Sequence, residues 1–299
     1  MNFALIGGLL ENIFEEGLIY GIMAIGVYIT YSILDFPDLT VDGSFPLGAC
    51  VAAAMIGAGA NPLLACLVAM LCGMAAGCVT GILHVKCKIT DLLSGILTMT
   101  ALWSVNLVIA GGKAVLPFYD KPTIFNSGLA KLFPEGLYAH RVLLIGFACV
   151  LLVKLVVDWF LKTKSGLLLR AVGDNKSFVT SLARDQGNRK ILGLAIGNGL
   201  VALSGCVLAQ QAESASVNSG TGMVVMALAS VIIGRTLFSR LRIMKSTTAA
   251  VIGACVYKAC LAIAMQLGLP TNYLKLLMAV IFTVVLISNN FGRKKHAQV

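Results

Sequence analysis

Three observations predict an all-α fold, a polytopic bundle of membrane helices. Apolar residues make up 58% of the 299-residue chain and charged residues only 12%, whereas soluble domains carry about 25% charge. The apolar residues fall into runs approaching or reaching the roughly 20 residues that cross a hydrocarbon core. The Lys and Arg residues collect in the stretches between those runs rather than inside them. Mean hydropathy is +0.91, in keeping with a single membrane domain over residues 1–299.

The runs lie at about 13–34, 45–60, 62–84, 89–111, 139–161, 190–210, 222–238, 246–267 and 273–290. Eight or nine of them are membrane segments. The run at 45–60 is short and rich in Gly and Ala, so it is either a full span or half of a broken or re-entrant helix. No Lys or Arg precedes the first run and no small-residue cleavage site follows it, so no cleavable signal peptide is expected.

Orientation follows from the basic residues. They cluster at Lys86 and Lys88, from Lys162 to Lys190, from Arg235 to Lys245, and at Arg293 to Lys295. Two of the runs separate each cluster from the next, which leaves all four on one side. The positive-inside rule makes that side the cytoplasm and places the C-terminus there. The loops at 112–138 and 211–221 then lie outside. The N-terminus is outside if 45–60 crosses fully and cytoplasmic if it is re-entrant. The net charge of +10 is read as this loop charge and not as a nucleic-acid surface.

The composition argues against several chemistries. Eight of the nine Cys lie in apolar runs and none forms a Cys-x-x-Cys pair, so they read as small hydrophobes and no metal site is expected. The three His are far apart, and no His-Glu-x-x-His or Gly-x-Ser-x-Gly is present. The chain also lacks a Gly-x-x-x-x-Gly-Lys-Ser/Thr phosphate loop, so any ATP hydrolysis belongs to another polypeptide. No cofactor is expected.

The longest polar stretch is Leu167 to Lys190. Asp174 or Asn175 reads as a helix cap and Gly187 as a left-handed stop, which predicts a short helix over about 176–185. Phe178, Val179 and Leu182 would form its apolar knob, rimmed by Lys176 and Arg184. Such a helix suits either docking on a cytoplasmic partner or lying among lipid headgroups.

"SGLLLRAVGDNKSFVTSLARDQGNRKILGLAIGNGLVALSGCVLAQ" (165–210) resembles the cytoplasmic loop and following helix of ABC-importer permeases of the branched-chain amino acid, ribose and nucleoside superfamily. The matching positions are Gly166, Arg170, Ala171, Gly173, Asn175, Ala183, Gly187, Ser204 and Gly205. "LDFPDLTVDGSFPLGACVAA" (34–53) resembles the segment after the first helix of those permeases. "GACVYKACLAIAMQLGLPTNYLKLLMAVIFTVVLI" (253–287) resembles their C-terminal helix pair. The likeness is strongest to permeases for tryptophan and related aromatic amino acids. It implies a membrane subunit that passes a small solute delivered by an external binding protein. It also implies cytoplasmic ATPase subunits and a second permease copy, with 162–190 as the coupling loop. Asp174, Lys176, Phe178, Val179, Leu182 and Arg184 would then be the ATPase-coupling residues. The alternative is a secondary transporter driven by an ion gradient, which calls for an inverted repeat and ionisable residues in mid-helix.

Inside the membrane, Asp38, Thr40, Asp42 and Ser44 follow a run and are interleaved with Pro37, Gly43 and Pro46, which would interrupt a helix. Acids at that depth face a cavity or a partner, so these four are read as lining or gating the pathway. Asn106 and Asn198 are either interhelical hydrogen bonds or solute contacts. Gln210 and Gln211, with Glu213, lie where a helix reaches the outer face and are candidates to meet arriving solute. Lys258 lies within a run, where its stem would let the ammonium snorkel outward. Gly73, Gly77 and Gly81, and Gly193 with Gly197, have the spacing that lets helices approach closely.

Overall fold

The computed structural model describes residues 3–128, 134–174, 186–238, 244–270 and 273–296. Helix α1 (Phe3–Val27) runs directly into a π-helical turn at Tyr28–Ile33. Extended chain leads from there to α2 (Val41–Gly57), α3 (Pro62–Val85) and α4 (Asp91–Ile109). A short strand β1 (Val115–Pro117) and one turn of helix, α5 (Glu135–Tyr138), precede α6 (Arg141–Phe160) and α7 (Lys164–Asp174). Then come α8 (Gln186–Ala212), β2 (Ser214–Ser216), a 3-10 turn at Val217–Gly220, α9 (Met223–Leu237), α10 (Ser246–Gln266) and α11 (Leu274–His296).

Seven segments among the described residues are long and apolar enough to cross a membrane, and α2 and α11 supply two shorter apolar helices. Every predicted run therefore coincides with a helix. Two local expectations are corrected. The break lies at 34–40 only: α2 starts at Val41 and continues through Gly43 and Pro46. Gly187 lies within α8 and has no positive φ, so it is not a left-handed stop. In addition, α7 occupies a stretch read as loop. One face of α7 is apolar, with Leu169 and Val172 fully buried, and Gly173 packs on the Ile33 carbonyl.

Helix α8 is the axis of the bundle. It lies along α3, α2 and α1, and small residues set the spacing. A Cβ at Gly77 would lie 2.2 Å from the Leu194 carbonyl, one at Gly48 1.8 Å from the Ala202 carbonyl, and one at Gly205 2.0 Å from the Phe45 carbonyl. Backbones this close are how helices pack where lipid gives no hydrophobic drive for association. Exposed Leu63, Leu67 and Leu71 on α3, and Leu152, Leu155 and Val156 on α6, face outward from the bundle.

The two ends of the bundle differ. At one end Lys190 meets His84 (3.1 Å), Arg235 meets Ser32 (3.0 Å) and Lys245 meets Asp158 (2.9 Å). Two of the four basic clusters, and His84 beside a third, are thus brought to this end. At the other end β1 pairs antiparallel with β2, joining the two loops predicted to share the opposite side. Glu11, near the start of α1, meets His140 beside the start of α6. The start of α1 is therefore at the end away from the basic loops.

Candidate functional site

The break between α1 and α2 builds a buried polar junction. Asp35 has a positive φ of 52° and Pro37 follows, so the chain leaves the π turn as extended backbone. Phe36 packs edge-on to His84 at the basic end (5.1 Å between rings). The chain then rises into the bundle before α2 begins. Together, 34–57 makes one crossing, part extended and part helix. This settles the choice left open for 45–60 in favour of a broken crossing.

Extended backbone inside a membrane protein needs partners for its polar groups. Asp38 supplies some of them. It is 4% exposed, its Oδ1 accepts from the Thr40 amide (2.9 Å), and its Oδ2 accepts from Asn198 Nδ2 (2.6 Å) on α8. Asn198 Oδ1 accepts from Ser44 Oγ (2.7 Å), and Nδ2 also reaches the Leu194 carbonyl (3.0 Å). Thr40 Oγ1 and Thr80 Oγ1 are 2.8 Å apart. Thr40, Ser44, Thr80 and Asn198 are all fully buried. One small network thus ties the break to α8 and α3. Among the described residues no Lys or Arg pairs with Asp38.

Asp42 performs a second task. Its carboxylate accepts from the Gly222 amide (3.1 Å) and the Val224 amide (2.8 Å). These groups lie at the start of α9, where free amides and the helix dipole favour an anion. The 3-10 turn ahead of α9 packs against α2, so a second crossing, Val217–Leu237, is also broken there. Pro46 cannot donate to the Asp42 carbonyl four residues back. Gly220 fills that place, so closely that a Cβ there would lie 1.8 Å from the carbonyl oxygen. Asn106 on α4 donates to the Gly43 carbonyl (3.1 Å), and its Oδ1 has no partner among the described residues.

Gln210 lies elsewhere, about 18 Å along α8 from Asn198 at 1.5 Å per residue. It is 1% exposed; its Oε1 accepts from the Ile124 amide (3.0 Å), and its Nε2 approaches the Pro62 carbonyl (3.4 Å) and Sγ of Cys66 (3.2 Å). It is anchored in the loop at that end. Gln211 is half-buried, and its Oε1 has no partner among the described residues. Of the predicted pathway residues, Asp38, Thr40, Ser44 and Asn198 therefore come together. Asp42 and Asn106 brace the first turn of α2, and Gln210 and Gln211 are remote. Thr80 was not anticipated: one Thr in an apolar helix carries no sequence signal. Lys258 does not snorkel; it pairs with Glu16 on α1, with Tyr20 beneath the ammonium at 4.9 Å. The coupling residues Lys176, Phe178, Val179, Leu182 and Arg184, and the side chain of Asp174, lie outside the described residues.

Residues 9–286 match the family model described as the branched-chain amino acid transport system permease component. The chain belongs to this permease family. It is 43% identical over 281 residues to a tyrosine transport system permease protein of Clostridioides difficile (strain R20291), covering 94% of this chain and 91% of that one. It is 27% identical to the ribose import permease protein RbsC of Escherichia coli (strain K12), covering 79% and 71%. The permease also shares its fold with an inward-facing metal-chelate type ABC transporter (TM-score 0.53, 15% identity, 95% and 85% covered). It is a multi-pass membrane protein of the ABC permease type.

Proposed function

We propose that this permease is the translocating subunit of an ATP-driven importer for an amino acid with an aromatic side chain. A binding protein delivers the solute on the side of the β1–β2 pair. ATPase subunits dock at the basic end, which faces the cytoplasm with the C-terminus, and a second copy of the chain completes the pathway. The observation that carries this reading is the 43% identity, over 94% of this chain, to a tyrosine transport system permease protein. The broken crossings supply a mechanical element that fits it. The Asp38–Asn198–Ser44 junction and the Asp42 cap on α9 act as a gate hinge, because they join two interrupted crossings through a few hydrogen bonds. In this reading Phe178, Val179 and Leu182 enter the ATPase, with Asp174, Lys176 and Arg184 around them.

The test is co-purification of the permease with ATPase subunits, comparing wild type with Phe178→Asp plus Leu182→Asp. Capture by wild type and loss from a folded double variant is the expected result. Equal capture by both would remove the docking argument. Uptake of labelled tyrosine, tryptophan and ribose by the reconstituted system then identifies the solute. A gradient-driven reading draws on Asp38 and the Glu16–Lys258 pair, which are ionisable groups at membrane depth. Uptake that persists without ATP and stops when the ion gradient is collapsed would favour it.

A further inference from the structure

At the basic end a cavity of about 350 Å3 opens between the end of α1, the end of α6, α7 and the start of α10. That is within the range of small-ligand pockets, about 300–1,000 Å3. Its polar lining is mainly cationic. Lys162, Arg170 and Lys245 line it, with Tyr28, Ser246 and Thr247 beside them and Asp158 as the one acid among the described lining residues. Asp158 is already engaged: its Oδ2 meets Lys245 (2.9 Å) and Lys154 (3.4 Å), and its Oδ1 accepts from Thr247 Oγ1 (2.7 Å). Neither Lys162 nor Arg170 meets a carboxylate among the described residues. The lining residues thus include three cations and one anion.

The depth of the cavity points to the class of ligand. Trp159, next to Asp158, is 71% exposed. It ends an uncovered apolar stripe on α6 that runs through Leu152, Leu155 and Val156. Exposed Trp at the end of an apolar stripe marks the headgroup layer of a bilayer. Basic pockets between membrane helices at that level hold anionic headgroups.

We propose that this cavity binds a phosphate group, and that its source is the headgroup of an anionic phospholipid in the leaflet at the basic end. Arg170 presents a planar fork that matches phosphate oxygens two at a time, and Lys162 adds a point charge. Ser246 and the first turn of α10, whose amides no side chain caps, add a hydroxyl and backbone N–H donors. The bound headgroup would tie α6, α7 and α10 together at the end where α7 leads into the coupling loop.

The experiment uses the full-length permease in phosphatidylcholine nanodiscs, with and without phosphatidylglycerol. Retained lipid is counted by native mass spectrometry, and the melting temperature is followed as phosphatidylglycerol is titrated. Each basic residue near an anionic surface contributes about fivefold in affinity, so Lys162→Gln plus Arg170→Gln is expected to weaken phosphatidylglycerol binding about thirty-fold. The exchanged pair, Lys162→Arg plus Arg170→Lys, keeps the charge and most of the binding. Equal melting temperatures in pure phosphatidylcholine establish that the neutralised variant is folded. A second arm titrates inorganic phosphate in pure phosphatidylcholine discs. Protection of wild type by phosphate there, without a preference for phosphatidylglycerol, would support the phosphate site and assign it to a soluble ligand. A wild type indifferent to both probes overturns the proposal, and so does a neutralised variant that binds phosphatidylglycerol as tightly as wild type.

Discussion

Asn198 carries the heaviest load at the polar junction, so its removal is the sharpest test of how the break is held. Asn198→Ala deletes the donor to Asp38 Oδ2 (2.6 Å) and the acceptor for Ser44 Oγ (2.7 Å). A hydrogen bond to a charged group contributes about 1.5–3 kcal/mol. An ordinary polar contact between membrane helices averages about 0.6 kcal/mol. Together these give a loss of about 2–3.5 kcal/mol. Asp38 would keep donors from Thr40 alone, its amide and its hydroxyl, so the expected loss lies within that range. Asp38→Ala removes the same bond from the other side. A double-mutant cycle of the two is therefore expected to show a coupling of about 2 kcal/mol, well above the roughly 0.5 kcal/mol scatter of independent sites. Reversible unfolding in mixed detergent and dodecyl sulfate micelles measures it. Losses that simply add would refute the reasoning, since they would mean that the two side chains do not act as one unit. Transport should suffer more than stability in any variant that still folds if the junction is the proposed gate hinge.

Further predictions concern packing and the second break. Gly48→Ala would put a methyl group 1.8 Å from the Ala202 carbonyl and is expected to abolish monodisperse protein in size-exclusion chromatography. Gly57→Ala meets nothing within 4 Å and replaces a helical Gly, so it should leave the elution profile intact and stabilise by up to about 1 kcal/mol. Asp42→Ala withdraws the acceptor for the first amides of α9 and should cost about 1–2 kcal/mol, the scale of a lost helix cap, with faster hydrogen exchange at Gly222 and Val224. Gln210→Ala frees the Ile124 amide, and exchange in the loop after β1 should rise while α3 keeps its protection.

Helix positions were legible because a span must hide its backbone from lipid, and a run of apolar residues is the means of doing so. Gathering of basic clusters at one end was legible for a similar reason, since orientation is written in loop charge. The Gly73, Gly77 and Gly81 stripe was readable as a close-packing face, and Gly73 and Gly77 meet the α8 backbone. The α7 helix was not readable, because a half-buried helix of 11 residues carries its apolar face on Leu169 and Val172 amid basic residues. The extent of the break was missed for another reason. Gly43 and Pro46 read as interruptions, yet Asn106 and Gly220 from other helices accommodate them inside α2.

The sequence by itself determined the class of protein, the positions of the apolar segments, the shared side of the basic loops and the resemblance to permeases. All of these depend on composition and on short-range spacing. Only the tertiary structure decided that Asp38, Ser44 and Asn198 form one network and that Asp42 caps a helix 180 residues away. It also paired Lys258 with Glu16 and left Lys162 and Arg170 facing a common cavity. The physical reason is the same in each case. A polar group in a membrane protein declares in sequence that it needs a partner, but which partner it finds depends on how the helices rotate and cross.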